Sequence, residues 1–179
     1  MSSYKKVAVI GGGAAGFFAA LSAKKHHPNA LVSLFEKTSK VLAKVKISGG
    51  GRCNVTNATE DIDSLCEAYP RGGKQLKNCF YRFSTIATRQ WFESRGVPLK
   101  AEPDGRVFPV SNQSQSIIDC LMGEAQNLGI NIHYQKNLIQ LEKKAHQWIL
   151  HFQKEQETQI FDAVIITTGG SPKASGFDG

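Results

Sequence analysis

The chain has 179 residues, of which 41% are hydrophobic and 21% charged, a composition typical of a globular domain in water. No apolar stretch is as long as a membrane span, and the first apolar region lacks the pattern of a signal peptide, so we expect a cytoplasmic protein. Residues 1–60 account for the whole net charge of +7. Because no basic stripe is interleaved with aromatic residues, we expect neither a nucleic-acid nor a membrane partner.

The first elements in chain order are predicted to be a strand, a glycine-rich turn and a helix. Residues 7–10 are an apolar run typical of a buried parallel strand, and the following residues 11–16 have the spacing G-x-G-x-x-G. Residues 14–25 are predicted to form a helix, and residues 32–35 a second strand that leads into Glu36. Such a β-α-β unit predicts a parallel sheet with a right-handed crossover.

Each part of the glycine motif has a mechanical role in binding a dinucleotide. Gly11 allows the sharp turn from the strand, Gly13 lets the backbone approach a pyrophosphate, and Gly16 lets the helix lie close to the sheet. The helix begins at Ala14 and Ala15, where unpaired N–H groups and a partial positive charge favour an anionic diphosphate. The motif therefore predicts a pyrophosphate site at the start of this helix.

The second strand ends on an acidic residue at the spacing that a ribose site needs. Glu36 follows Gly16 by 20 residues, and a carboxylate there would accept hydrogen bonds from the ribose hydroxyls. The positive charge of residues 1–60 lies around the same motif and would attract an anionic cofactor. A dinucleotide is therefore the predicted ligand.

Residues 37–57 show no apolar periodicity and are predicted to be a long loop without secondary structure of its own. The loop contains the run Gly49-Gly50-Gly51-Arg52-Cys53-Asn54. Three glycines followed by polar side chains indicate a backbone shaped around a polar ligand. Cys53 has no second cysteine nearby in sequence, so we expect it to pack or make a polar contact rather than to act in redox chemistry. The cysteine spacing and the absence of a histidine cluster predict free thiols and no metal site.

The middle of the chain is predicted to be helical with a hairpin. Residues 62–96 have an amphipathic helical pattern, with a predicted core of Phe80, Phe83, Ile86, Trp91 and Phe92. Residues 97–102 and 106–110 flank a Pro-Asp-Gly turn and predict a hairpin. Residues 114–128 form a further predicted helix, which Gly129 ends.

The last third is predicted to return to the sheet. Residues 130–134 are a third strand, and residues 138–141, 148–152 and 159–161 alternate as in a small antiparallel meander. Residues 163–168 are predicted to be a final buried strand. The predicted fold class is therefore α/β: a Rossmann-like FAD-binding domain with a β-α-β start, a helical and hairpin excursion, and a β-meander.

This order of elements resembles the FAD-binding half of flavoproteins with two dinucleotide-binding domains. More narrowly, the chain is similar to the YhiN/BaiN-like family of NAD(P)/FAD-dependent oxidoreductases, also described as aminoacetone oxidase-like flavoproteins. The likeness is carried by residues 48–57, residues 104–111, and residues 168–172 with 176–179. It implies FAD as the cofactor and NAD(P)H as the electron donor.

The resemblance also implies roles for residues outside the glycine motif. Lys37 would lie near the adenosine, and the backbone of Gly49–Gly51 would approach the flavin. The remaining residues with implied contacts to the cofactor are Arg52, Cys53, Asn54, Thr168, Gly169 and Gly170. No residue is a clear acid, base or nucleophile, so the catalytic residues stay unassigned.

Members of that family continue well beyond 179 residues, through an inserted domain and a segment that completes the flavin site. The resemblance therefore implies that residues 1–179 are an incomplete FAD-binding domain, from a truncated or split gene, with a second chain as a partner that supplies the rest. Two other interpretations stay open. Glu36 suits an NAD-binding dehydrogenase domain equally well, and a catalytically silent nucleotide-binding fragment has the same motif.

Overall fold

The computed structural model of the chain describes residues 5–153 and 158–170. In chain order, its first elements are β1 (Lys6–Ile10), α1 (Ala14–His26), β2 (Leu31–Phe35), α2 (Ala43–Ile47), a 3-10 turn (Ser48–Gly51) and β3 (Thr56–Asn57). The middle elements are α3 (Ile62–Glu67), α4 (Gly73–Arg82), α5 (Thr85–Glu93), β4 (Leu99–Ala101), β5 (Arg106–Pro109) and α6 (Ser114–Asn127). The last are β6 (Asn131–His133), β7 (Leu138–Lys144), β8 (Gln147–Phe152), β9 (Gln159–Phe161) and β10 (Ala163–Ile166).

The chain divides into two compact units. One comprises Met1–Ala43 and Leu121–Gly179, and the other comprises Lys44–Cys120. The sequence prediction treated residues 1–179 as one dinucleotide-binding domain. Residues 171–172 and 176–179, which contribute to the family resemblance, lie outside the described residues.

The first unit contains the predicted β-α-β motif and a parallel sheet. The strand order is β10-β1-β2-β6, and all three pairings are parallel. Ile10 lies opposite both Phe35 and Ile166, so β1, β2 and β10 end at the same level. Because β1 has neighbours on both sides, its apolar residues are almost fully buried, as the sequence predicted. The predicted Rossmann-like α/β fold is confirmed.

The predicted meander covers one face of this sheet. Strands β7, β8 and β9 pair antiparallel in that order. Their inward side chains join those of the sheet in one core, which comprises Ala8, Ile10, Phe35, Leu150, Phe152 and Phe161. The ring of Phe35 lies 4.7 Å from that of Phe152, which ties the second parallel strand to the meander.

The second unit contains the predicted hairpin, but the predicted long loop is wrong. Strands β4 and β5 form the hairpin, and β3 adds to β5 as a third strand. Residues 37–57 hold α2, the 3-10 turn and β3 instead of lacking secondary structure. The sequence did not show β3 because a two-residue strand is specified by its distant partner and not by local periodicity.

Two further predictions about burial are wrong. Phe92 is buried in the second unit, but Phe83 and Ile86 are 41% and 38% exposed, because the amphipathic segment folds as three short helices with separate faces. The last strand ends at Ile166 rather than at residue 168, and Ile166 is 53% exposed. Strand β10 lies at the edge of the described sheet, where it has one neighbour and less cover. Of the helices that the structure describes, none is long and apolar enough to cross a membrane.

Candidate functional site

The turn between β1 and α1 is tied to both neighbouring segments through its backbone. The amide of Gly11 donates to Phe35 O at 2.8 Å, and Gly12 O accepts from the amide of Leu42 at 2.8 Å. The amide of Gly12 donates to Glu36 Oε2 at 2.9 Å. These bonds hold the turn against the carboxyl end of β2, which is the edge where open parallel sheets bind their ligands.

The three glycines of the motif differ in what a side chain would meet. At Gly11, where φ is +112°, a Cβ would lie 2.6 Å from Thr167 O, and at Gly16 a Cβ would overlap Gly11 O. At Gly13 a Cβ would meet no atom of the described chain within 4 Å. The fold itself therefore needs the first and third glycines, whereas the space at Gly13 is open for a ligand to approach the backbone.

Helix α1 presents its first turn to the same open space. It has 13 residues, no side chain of the described chain caps its start, and Ala14 and Ala15 are exposed there. The last turn carries Lys24, Lys25 and His26, which complement the negative end of the helix dipole. The start of α1 thus offers main-chain N–H donors and a partial positive charge to an anion.

Glu36 is held rigidly at the end of β2. Its Oε1 accepts from the amide of Thr38 at 2.8 Å and from the Thr38 hydroxyl at 2.9 Å, while Oε2 accepts from Gly12. A carboxylate oxygen can accept two hydrogen bonds, so Oε2 keeps capacity for a further donor such as a ribose hydroxyl. The neighbouring Lys37 is exposed.

Thr167 completes the turn from the opposite side, and sequence analysis missed it. Its hydroxyl lies 2.9 Å from Ile10 O and 3.1 Å from Gly11 O. The predicted contacts were instead the next three residues, which are exposed and follow the end of β10: Thr168, Gly169 and Gly170. Strand register was the available signal, because Ile166 pairs with Ile10 and the next residue therefore lies beside the turn.

In the second unit, the glycine run has a left-handed backbone conformation, which glycine adopts more readily than other residues. Gly49, Gly50, Gly51 and Cys53 all have positive φ, between 56° and 86°. A Cβ at Gly49 would lie 2.8 Å from the Phe108 ring, whereas Gly50 and Gly51 are exposed with open space around them. The glycine nearest the hairpin serves packing, and the other two present bare backbone at the surface.

The polar side chains that follow this run bind the hairpin. Arg52 forms an ion pair with Glu102, and its guanidinium lies 3.9 Å from the centroid of the Phe108 ring. With its amide oriented to suit its neighbours, Asn54 donates from Nδ2 to Thr56 O at 2.9 Å and to Val107 O in β5 at 3.2 Å. These contacts fix the loop shape, and the implied contact with a flavin stays a prediction.

The Cys53 thiol has the environment of a packing residue. Cys53 is 6% exposed, and burial raises the pKa of its thiol, partly offset by a hydrogen bond with Ser48. A thiol in this state is a weak nucleophile, since the thiolate is the reactive form. Its burial agrees with the sequence-based expectation that Cys53 packs.

A parallel sheet with a β-α-β start, a glycine turn after β1 and an acidic residue at the end of β2 defines a Rossmann-type dinucleotide-binding domain. Residues 5–176 match the family described as the HI0933-like protein Rossmann domain, and the chain belongs to this family. The match confirms the flavoprotein family that the sequence motifs predicted.

Two curated relatives show how much of a whole protein this chain represents. It is 28% identical over 175 residues to a 3-dehydro-bile acid delta(4,6)-reductase of Clostridium scindens, and this match covers 97% of the chain and 41% of the relative. It is 24% identical over 172 residues to a ribosomal RNA dihydrouridine synthase of Haemophilus influenzae, with 95% of the chain and 41% of the relative covered. The chain thus spans about two fifths of either relative's length.

A solved structure supports the fold. The chain superposes on a 3-ketosteroid-delta4-(5alpha)-dehydrogenase of Rhodococcus jostii with a TM-score of 0.67 and 15% identity. The match covers 94% of this chain and 47% of the other. At this identity the likeness establishes a shared fold.

Proposed function

We propose that this chain binds FAD and forms the FAD-binding portion of a flavin-dependent oxidoreductase. One observation carries the proposal: the Gly12–Glu36 hydrogen bond brings a ribose acceptor beside the start of α1, where the missing side chain of Gly13 leaves open space. An ADP moiety needs N–H donors for its diphosphate and an acceptor for its ribose hydroxyls. Both must lie side by side along one edge of the sheet.

The residues of the first unit have distinct proposed contacts with FAD. The pyrophosphate lies over Gly13 and accepts from the N–H groups at Ala14 and Ala15. The adenosine ribose donates to Glu36, and Lys37 lies near the adenosine. When bound, FAD supplies the hydride chemistry, while this chain supplies binding and orientation.

The meander favours FAD over NAD. Strands β7 to β9 cover the face of the parallel sheet that carries Phe35, between β6 and β10 in the chain. In NAD-binding Rossmann domains a crossover helix normally takes this place. Membership of a flavoprotein family points in the same direction.

We infer a reaction class from the relatives' names. One is a reductase of a bile acid at delta(4,6), and the other makes dihydrouridine in ribosomal RNA. Both names describe the addition of hydrogen across a carbon–carbon double bond. We propose the same class of reaction here, with NAD(P)H as the electron donor.

Two further proposals concern the setting of this reaction. Because the chain spans 41% of either relative, the reaction requires a segment of the kind that the relatives contain, on this or a second polypeptide. The four cysteines, Cys53, Cys66, Cys79 and Cys120, are described as thiols and not as disulfides, which suits the cytoplasm.

Calorimetric titration of the flavin-free chain with FAD, ADP, FMN and NAD⁺ tests the proposal. We expect FAD and ADP to bind with similar strength and FMN to bind much more weakly, because the contacts are made to the ADP half. The FAD-loaded protein should be yellow and only slowly reduced by NADH or NADPH without the further segment. NAD⁺, which has the same ADP half, should bind with similar strength, whereas FMN binding as tight as that of FAD would contradict the assignment.

A further inference from the structure

We infer that Thr167 is a positioning residue for the cofactor site: together with Glu36, it holds the Gly11–Gly12 peptide unit from both ends. This inference rests on the proposed FAD site. Thr167 lies 131 residues after Glu36 in the sequence, and neither the glycine motif nor its acidic partner includes it.

The geometry consists of two hydrogen bonds on one rigid plane. The carbonyl end of the Gly11–Gly12 peptide accepts from Thr167 Oγ1 at 3.1 Å, and its amide end donates to Glu36 Oε2 at 2.9 Å. Because a peptide unit is planar, its carbonyl and amide rotate together. A side chain at either end therefore sets the direction in which the other end points.

The anchor on the β10 side is itself fixed. The amide of Thr167 donates to Ile10 O at 2.8 Å, which extends the pairing of β10 with β1 by one residue. The Thr167 hydroxyl also lies 2.9 Å from Ile10 O, so its one proton is shared between the last carbonyl of β1 and the first carbonyl of the turn. Its position is set by the sheet and not by the loop.

The consequence concerns which donors face the cofactor. All four main-chain polar groups of Gly11 and Gly12 are hydrogen-bonded to Phe35, Thr167, Glu36 and Leu42. The N–H groups left for a pyrophosphate therefore begin at Gly13. If the peptide before it rotates, the direction of the Gly13 amide and the start of α1 change as well.

Four variants of the full chain test this role. Thr167→Val removes the hydroxyl but keeps the side-chain shape, and Thr167→Ser keeps the hydroxyl. Glu36→Ala removes the acceptor of the Gly12 amide, and the last variant combines Thr167→Val with Glu36→Ala. Calorimetry with ADP and FAD should show about three- to tenfold weaker binding for Thr167→Val, the loss of one neutral hydrogen bond. Thr167→Ser should bind within about twofold of the parent chain. Thr88→Val, which removes a hydroxyl bond to Ser84 O in α5, is the matched control and should leave ADP binding unchanged.

The double variant separates positioning from an unrelated local effect. Since either change already frees the same peptide, the double variant should lose less affinity than the product of the two single losses. Losses that multiply fully, or a Thr167→Val chain that binds ADP as the parent does, would overturn the inference.

A ligand-free measurement distinguishes this inference from the proposed function. By NMR, the Gly12 amide should exchange with solvent faster in Thr167→Val than in the parent chain and in Thr167→Ser. If the parent chain binds neither ADP nor FAD, the proposed function is wrong, and Gly12 exchange still decides the inference. Equal exchange rates in all three proteins would overturn it.

Discussion

The carboxylate of Glu36 accepts a hydrogen bond from the backbone amide of Gly12, 24 residues earlier in the chain, at 2.9 Å. This contact joins the end of β2 to the turn that follows β1. The side chain that would bind the ribose in the proposed site is thus oriented by the turn before α1. Substitutions at either residue should therefore affect both halves of the ADP contact.

The first prediction concerns the open space at Gly13. Gly13→Val should abolish binding of FAD and ADP and leave the fold intact, because a Cβ there meets no atom of the described chain within 4 Å and the side chain would occupy the place of the diphosphate. Gly123→Val in α6 is the matched control, since a Cβ there also meets nothing within 4 Å. Circular dichroism and calorimetric titration measure the two effects. Unchanged ADP affinity in Gly13→Val would show that no phosphate lies there.

The second prediction concerns the charge of Glu36. Glu36→Ala should weaken the binding of FAD and ADP by about ten- to a hundredfold, since it removes a hydrogen bond to a charged group, which contributes about 1.5–3 kcal/mol. Weak binding of FMN, which lacks the adenosine, should not change. The exposed Glu60→Gln is the control for a general loss of negative charge. Equal losses for FMN and FAD would exclude Glu36 as the ribose acceptor.

The third prediction concerns the close packing of α1 on the sheet. Gly16→Ala should lower the free energy of unfolding by about 1–3 kcal/mol, because the new Cβ overlaps Gly11 O and lies 2.9 Å from the Thr167 hydroxyl. Urea denaturation measures the change. Gly123→Ala, which has open space and a helical position, should be neutral or stabilising. Equal stabilities of the two variants would contradict the packing role.

The fourth prediction concerns His133, which stacks on Phe35 with ring centroids 4.7 Å apart. Burial, and secondarily the charge of Lys136, lowers the pKa of His133 below its ordinary value of 6.5. Below about pH 6.5 the unfolded chain takes up a proton that the folded chain resists, so this residue makes stability fall as the pH falls.

Thermal unfolding at pH 7.5 and 5.5 measures this effect. His133→Phe, which keeps the stacking but cannot titrate, should show a smaller loss of melting temperature between the two pH values. His146→Gln, exposed in the turn between β7 and β8, is the control. The same loss in His133→Phe as in the parent chain would refute a role for His133.

The fifth prediction concerns thiol reactivity. Cys79 is exposed and Cys53 is buried with a raised thiol pKa. A thiol reagent at pH 8 should therefore modify Cys79 rapidly and Cys53 only after unfolding in urea. Mass spectrometry of the peptides identifies the modified residue, and Cys79→Ser removes the fast phase. Rapid modification of Cys53 in the folded chain would show that its thiol is accessible.

Local patterns predicted those elements whose signals lie within one segment. Strand β1, helix α1 and helix α6 begin or end within a residue or two of the predicted bounds, because apolar periodicity and the terminal Gly129 are local. Residues 37–57 were mispredicted as a loop, since β3 exists only by pairing with β5. The predicted burial of Phe83 was also wrong. Burial there depends on how three short helices pack and not on the amphipathic pattern that they share.

The Rossmann-type start, its glycine turn and its acidic partner could all be predicted from local sequence, since the chemistry of a dinucleotide imposes both residue types and spacing. Only the tertiary structure revealed Thr167, because a hydroxyl beside Gly11 follows from the parallel register of β10 with β1. It also decided that Gly16 serves packing while Gly13 leaves open space. Contacts between residues distant in the chain are set by strand register and helix packing, and no local pattern in the sequence records them.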